Sequence, residues 1–270
     1  MRRIIAGLVV SLLLLTPLPA RADALDPIKT LRAQIVPGRG VTISVATRVS
    51  ADGKHIFTSR TTRVAGFRKG GLVETDDIST FYSPIRSEIS EILEAETLFP
   101  TLLIKVEGAY YTSGGELIGK LPLDKKWVRS RWPESSPMDL TVDLFEPGTL
   151  RALLATASSV GPRTAKGTIH ASKIPGQPLG GGLGRDEEVA WALWFDAKGR
   201  VTRLTTTTSQ QTNDNYELGI RSDLRFTGWG TKVTIEPPPE DLVIDAEDLP
   251  EEEGLFWEPP VTIETPPKGK

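Results

Sequence analysis

The chain has 270 residues, 39% hydrophobic, 25% charged and 7% aromatic, with a formal net charge of −3. These globular proportions argue against a wholly disordered, collagen-like or coiled-coil chain. With no cysteine and only two histidines, His55 and His170, disulfides, thiolate metal sites, cysteine nucleophiles and a histidine-rich metal site are excluded.

Residues 1–24 carry the three-part pattern of a secretory signal. Arg2 and Arg3 lead, an apolar run from Ile4 to Leu15 follows, and small residues around Ala20, Ala22 and Ala24 offer a cleavage point. The run is shorter than the roughly 20 residues that span a bilayer. Cleavage near Ala24 is expected to leave a secreted or envelope protein, free of lipid because no cysteine is there to carry it. Residues 25–239 are nearly neutral at +3, with no Lys/Arg cluster suited to nucleic acid.

Asp26 and Pro27 form a helix start, and Leu25, Ile28, Leu31 and Ile35 share one side of a helix over 25–36. Residues 41–49 alternate as a half-buried strand, with Val41, Ile43, Val45 and Val49 facing one way. Asp52-Gly53 is a hairpin signal leading into a strand over 55–67. A weaker strand covers 72–82. Ile85, Ile89, Ile92 and Leu93 recur at helical spacing over 85–95. Strands follow at 101–112 and 126–132, and a helix over 148–158 carries Leu150, Leu153 and Leu154.

Beyond residue 163 strands dominate: 163–174, 188–195, 200–208, 216–226 and 231–236. Asp196–Gly199 closes a hairpin. Trp191 and Trp194 point to opposite faces of their strand. The count is nine or ten antiparallel strands with two or three short helices inserted between groups of them. That order predicts an α+β fold with an antiparallel sheet. Residues 240–270 carry a net charge of −8. Proline alternates with acid from Pro237 onward, as in a solvated tail with an apolar knot at Leu255-Phe256-Trp257. The domain plan is a signal (1–24), a folded body (25–245) and an acidic tail (246–270).

No motif names a reaction. Gly114 to Lys120 nearly fits a phosphate loop, but position 121 is Leu where a hydroxyl should be, and Pro122 follows where a helix should begin. It reads as a hairpin loop. The Gly-rich stretch 176–184 has no helix after it to aim amides at a phosphate. There is no G-x-S-x-G or H-E-x-x-H. Neither histidine has a nucleophile flagged beside it, so a hydrolase ranks third among the function classes.

Four pieces of the chain resemble a known family. They are "VEGAYYTSG" (106–114), Lys125-Lys126-Trp127-Val128, Glu146-Pro147 opening the Leu150/Leu153 helix, and "WALWFDAKGRVTRL" (191–204) followed by "LRFTGWGTKVTIEPPPEDLVID" (224–245). The last resembles the W-x-D-x-x-G-x-x-x-R-L and f-G-x-x-V-x-x-x-P-P signatures of the LppX/LprAFG family of actinobacterial lipoproteins, similar in fold to the LolA/LolB carriers. The resemblance implies a curved antiparallel half-barrel, helices over its concave face, and an apolar cavity for acyl chains of lipids or glycolipids. The lipobox cysteine of that family is missing, which favours a free, secreted form.

On this reading the protein is a monomeric, non-enzymatic lipid binder or shuttle, with no metal or cofactor. The candidate cavity lining is Ile43 and Val45 on the first strand and Ile89 and Leu93 on the inserted helix. Leu102, Ile104, Val106 and Leu153 follow, then Trp191, Leu193, Leu218 and Ile220. The alternative is an envelope sensor whose acidic tail docks a protein partner.

Overall fold

The computed structural model of the protein describes residues 26–69, 73–83, 99–131, 142–146, 148–175, 187–211 and 217–249. The expected signal segment, the helix over 85–95 with Ile89 and Leu93, the Gly-rich stretch 176–184 and the tail beyond Leu249 lie outside those residues.

Helix α1 spans Pro27–Gln34. Asp26 Oδ1 accepts the backbone N–H groups of Ile28 at 2.9 Å and Lys29 at 3.1 Å, satisfying two of the free donors of the first turn. The first strands are β1 (Arg39–Ala51), β2 (Lys54–Phe67), β3 (Val73–Tyr82), β4 (Thr101–Val106), β5 (Ala109–Gly114) and β6 (Trp127–Ser130). Helix α2 (Thr149–Ala155) precedes β7 (Ala157–Val160), β8 (Thr164–His170), β9 (Glu188–Phe195), β10 (Val201–Gln211), β11 (Glu217–Lys232) and β12 (Val243–Asp245).

These strands form one sheet in the order β12-β6-β5-β4-β3-β2-β1-β11-β10-β9-β8-β7. Two antiparallel meanders, β1 to β6 and β7 to β11, therefore join where β1 pairs with β11. The sheet is open: β12 and β7 are its edges. Its one parallel pairing among the described residues is β12 on β6. Register shifts in β1, β10 and β7 bend it locally. The fold is the α+β half-barrel, with two α-helices among the described residues packing on the concave face.

The alternation of β1 sets the two faces. Val41, Ile43, Val45, Thr47 and Val49 point inward. Register carries that face to Phe226, Leu224, Ser222 and Ile220 on β11 and to Leu204 on β10. It continues to Leu193 and Trp191 on β9 and to Ala165 on β8. Leu31 of α1 and Leu150 and Leu153 of α2 close over it. Leu153, Leu193 and Leu204 are fully excluded from solvent.

The convex face has its own cover. After Lys232 the chain crosses it and reaches the β6 edge as β12. Val233 and Ile235 lie over Gly40 and Gly66, which pair across β1 and β2. A Cβ at Gly40 would meet the Ala65 carbonyl oxygen and, at 2.6 Å, Val233 Cγ2. Ile235 and Val243 then bury Val106 and Tyr111. Arg129 holds the far end through Asp245 (2.6 Å) and Glu240 (2.8 Å).

Four segments differ from the sequence reading. The apolar run 101–112 is two strands, because Glu107 (φ 54°) and Gly108 (φ 81°) make a two-residue turn. Residues 157 and 158, read as the end of a helix, open β7, since the helix closes at Thr156 with its N–H on the Leu153 carbonyl. Of the expected strand 231–236 only the first two residues pair in β11; Val233 and Ile235 belong to the convex strap. Residues 240–248, acidic and spanning the expected end of the body at 245, form two 3-10 turns flanking β12.

Candidate functional site

A half-open cleft of about 190 Å³ sits on the concave face, over the side of the sheet that α1 and α2 leave uncovered. One wall is apolar: Ile43, Val45, Leu224 and Phe226 from the central strands, with Val142 and Leu144 across from them. The other wall is polar. Arg63, Asp77, Thr75, Lys105 and Tyr110 line it from β2, β3, β4 and β5, with Leu103 and Val73 between them.

The register puts these polar groups together. Arg63 pairs with Asp77 across β2 and β3, and Thr75 with Lys105 across β3 and β4. Lys105 faces Tyr110 across β4 and β5. Arg63 binds Asp77 in a fork: Nε donates to both carboxylate oxygens at 2.9 Å, and the Nη2 contact is 2.6 Å. The Asp77 side chain is only 4% exposed, so a carboxylate in this place needs that partner. Lys105 Nζ lies 5.7 Å from the centre of the Tyr110 ring and makes no ion pair among the described residues. Asp143 of the lining is exposed, and its Oδ1 accepts the Phe145 N–H at 2.7 Å.

One end of the cleft is closed by rings. Phe145 stands edge-on to Phe67 at 5.3 Å and to Trp229 at 6.2 Å, and Trp229 stacks on Phe226 at 5.9 Å. Trp229 Nε1 donates to the Val201 carbonyl at 2.8 Å, which satisfies its polar atom.

The candidate lining residues fall into three groups. Ile43 and Val45 line the cleft. Leu153, Trp191 and Leu193 share its face but are buried in the solid core, and Ile220 packs with Val49 and Phe57 in a separate cluster that Leu218 borders. Leu102, Ile104 and Val106 alternate with Leu103 and Lys105 and so take the opposite, convex face, where Ile104 and Val106 meet the strap. The sequence reading missed Arg63, Asp77 and Lys105. Their signal was charge at inward positions of alternating strands, visible only once the register is known.

Nothing in the described residues assembles a reaction centre. His55 Nε2 contacts Thr58 Oγ1 at 2.8 Å within β2. His170 ends β8, with β1, β11, β10 and β9 lying between the two strands. No group of three or more His, Asp or Glu side chains among the described residues could hold a metal ion. Among the described residues, Asp196 at its turn and Asp223 and Asp245 on the convex side, all outside the cleft, are shifted down. Burial pushes Asp223 up, but its hydrogen bonds to Arg203 and the charges of Arg203 and Arg225 outweigh this. Asp245 is lowered chiefly by its hydrogen bonds to Arg129. Both belong to structural ion pairs on the convex side.

No protein-family model matches this chain, and no curated protein does. Among solved structures it is similar to a LolA superfamily protein from Nitrosomonas europaea, at 10% identity over 78% of this chain and 94% of that one, with a TM-score of 0.34. A domain from Vibrio parahaemolyticus, provisionally named for outer membrane lipoprotein sorting, matches at 11% identity over 76% and 90%, with a TM-score of 0.29. A DUF1329 family protein from Desulfovibrio piger matches at 12% identity over 78% and 95%, with a TM-score of 0.31.

Proposed function

We propose that this protein is an exported, non-enzymatic binder of lipid or glycolipid acyl chains, which it carries within the cell envelope or medium. The observation that supports the reading is the cleft. Six apolar side chains of the inner-face core line it, each more than nine-tenths buried, opposite a wall that carries charged groups. Covering such a wall with hydrocarbon is favourable by about 0.8 kcal/mol for each buried CH₂. The test is native mass spectrometry of the protein secreted by its own host, followed by organic extraction. A co-purifying acyl species of defined mass is the expected result. A bare protein mass, with no uptake of added fluorescent fatty acid, would overturn the reading.

A second reading is an envelope sensor whose acidic tail docks a protein. It draws on the anchoring of residues 240–245 by Arg129, which gives any following segment a fixed origin. Truncation after Leu249 separates the two. A carrier keeps its lipid uptake and its biological effect, whereas a sensor keeps uptake and loses the effect.

A further inference from the structure

We propose that the cleft selects a single-chain anionic amphiphile, with its head group at Lys105 and its chain along Ile43, Val45, Leu224 and Phe226. The proposal rests on the reading that the cleft holds an acyl chain, and adds the class of lipid.

Size decides the number of chains. A volume of about 190 Å³ lies below the ~300 Å³ at which ordinary ligand pockets begin, so it suits part of one chain and not a diacyl pair. Charge decides the head group. Among the described residues, four ionic side chains line the cleft: Arg63, Asp77, Lys105 and Asp143. Arg63 and Asp77 neutralise each other through their fork. Asp143 is exposed, with one oxygen accepting the Phe145 N–H. Lys105 is half-buried on the polar wall, with only the face of Tyr110 as a partner among the described residues. Among the described residues of the wall, it is the charge that no ion pair neutralises.

The geometry also sets the orientation. Lys105 sits on β4, and the apolar side chains sit on β1 and β11, with β2 and β3 between. A head group held at Lys105 therefore directs its chain across the sheet, over the Arg63–Asp77 pair, toward Val45 and Leu224. A carboxylate and a phosphate monoester share the required chemistry: a small anion with oxygen acceptors for an ammonium donor.

The experiment is calorimetric titration of the full secreted chain with decanoate, decyl phosphate, decanol and decyltrimethylammonium. At least one anion is expected to bind about fivefold more tightly than decanol, the size of a partly exposed ion pair. The cation is expected to bind more weakly than decanol. Which anion leads distinguishes a fatty acid from a phospho-lipid. In Lys105→Met the advantage of the anion should vanish while decanol affinity holds; in Lys105→Arg it should remain. Decanol binding as tightly as both anions, or an advantage that survives in Lys105→Met, would overturn the head-group assignment and leave acyl binding intact. Failure of all four ligands would instead remove the acyl-binding reading itself.

Discussion

The two halves of the sheet share one inner face but fill it differently. From β8 to β1 that face carries Ala165, Trp191, Leu193, Leu204, Leu224 and Val45, and the helices seal most of it into a solid core. From β2 to β5 the same face turns polar, with Arg63, Asp77, Thr75 and Lys105, and a cleft stands over it. Close packing on one side supplies the stability that lets the other side stay open. The difference teaches where each kind of substitution should be felt: stability in the first half, ligand choice in the second.

The largest expected effect comes from breaking the solid half. Leu153 is fully buried under β8, so Leu153→Ala leaves a cavity and should cost about 2–5 kcal/mol. Leu103, half-buried on the cleft wall, should cost about 1 kcal/mol or less on replacement by Ala. Urea denaturation midpoints measure both. Equal losses would mean that the cleft half is as tightly filled as the core half.

The convex side gives the next test. Gly40→Ala sets a Cβ against the Ala65 carbonyl, which is backbone and cannot rotate away. A loss of about 1–3 kcal/mol is expected. Gly66→Ala meets only the Val233 and Ile235 side chains, at 3.0 and 3.4 Å, and should cost less. If the two variants are equally stable, the Ala65 carbonyl does not approach Gly40 as closely as described.

These contrasts also show what the sequence could and could not reveal. β1 was legible because one of its faces is polar, so its alternation is clean. The Asp52-Gly53 turn was legible for the same reason, lying between two alternating runs. Glu107-Gly108 has the same chemistry and nearly the same backbone, with φ of 54° and 81° against 46° and 75°. It was hidden because the middle of β4 is apolar on both faces. Leu102, Leu103 and Ile104 are consecutive, and no alternation tells inside from outside. The second face is apolar because the strap covers it, and the strap lies more than a hundred residues further along. β12 was illegible in the same way: three residues in acidic surroundings pair with a strand whose Arg129 is 116 positions from Asp245.

Detaching the strap should have a smaller effect than breaking the core. Arg129 is held by Asp245 and Glu240, all three partly exposed, so Arg129→Gln should lower stability by about 1 kcal/mol or less. Its clearer readout is local. Hydrogen exchange at Val243–Asp245 should quicken while β1 and β11 keep their protection. Unchanged exchange would mean that the parallel pairing holds β12 without the ion pairs.

The smallest effect compares the same strap with the sheet under acid. Asp245 on the strap and Asp223 on β11 both have folded pKa values below the ordinary carboxylate range. A lowered folded pKa contributes stability that is present above the unfolded value, about 3.9, and is lost as pH falls through the folded value. Stability owed to these groups is therefore complete at pH 5 to 7 and declines below about pH 4. Arg129→Gln should return Asp245 toward its ordinary value and remove its share of the acid loss. Asp223, held by Arg203 and Arg225, should keep its share in that variant. Carboxyl titrations followed by NMR test this site by site. An Asp245 that titrates identically with and without Arg129 would show that the guanidinium is not what lowers it, and that the strap end is fixed by its backbone pairing to β6.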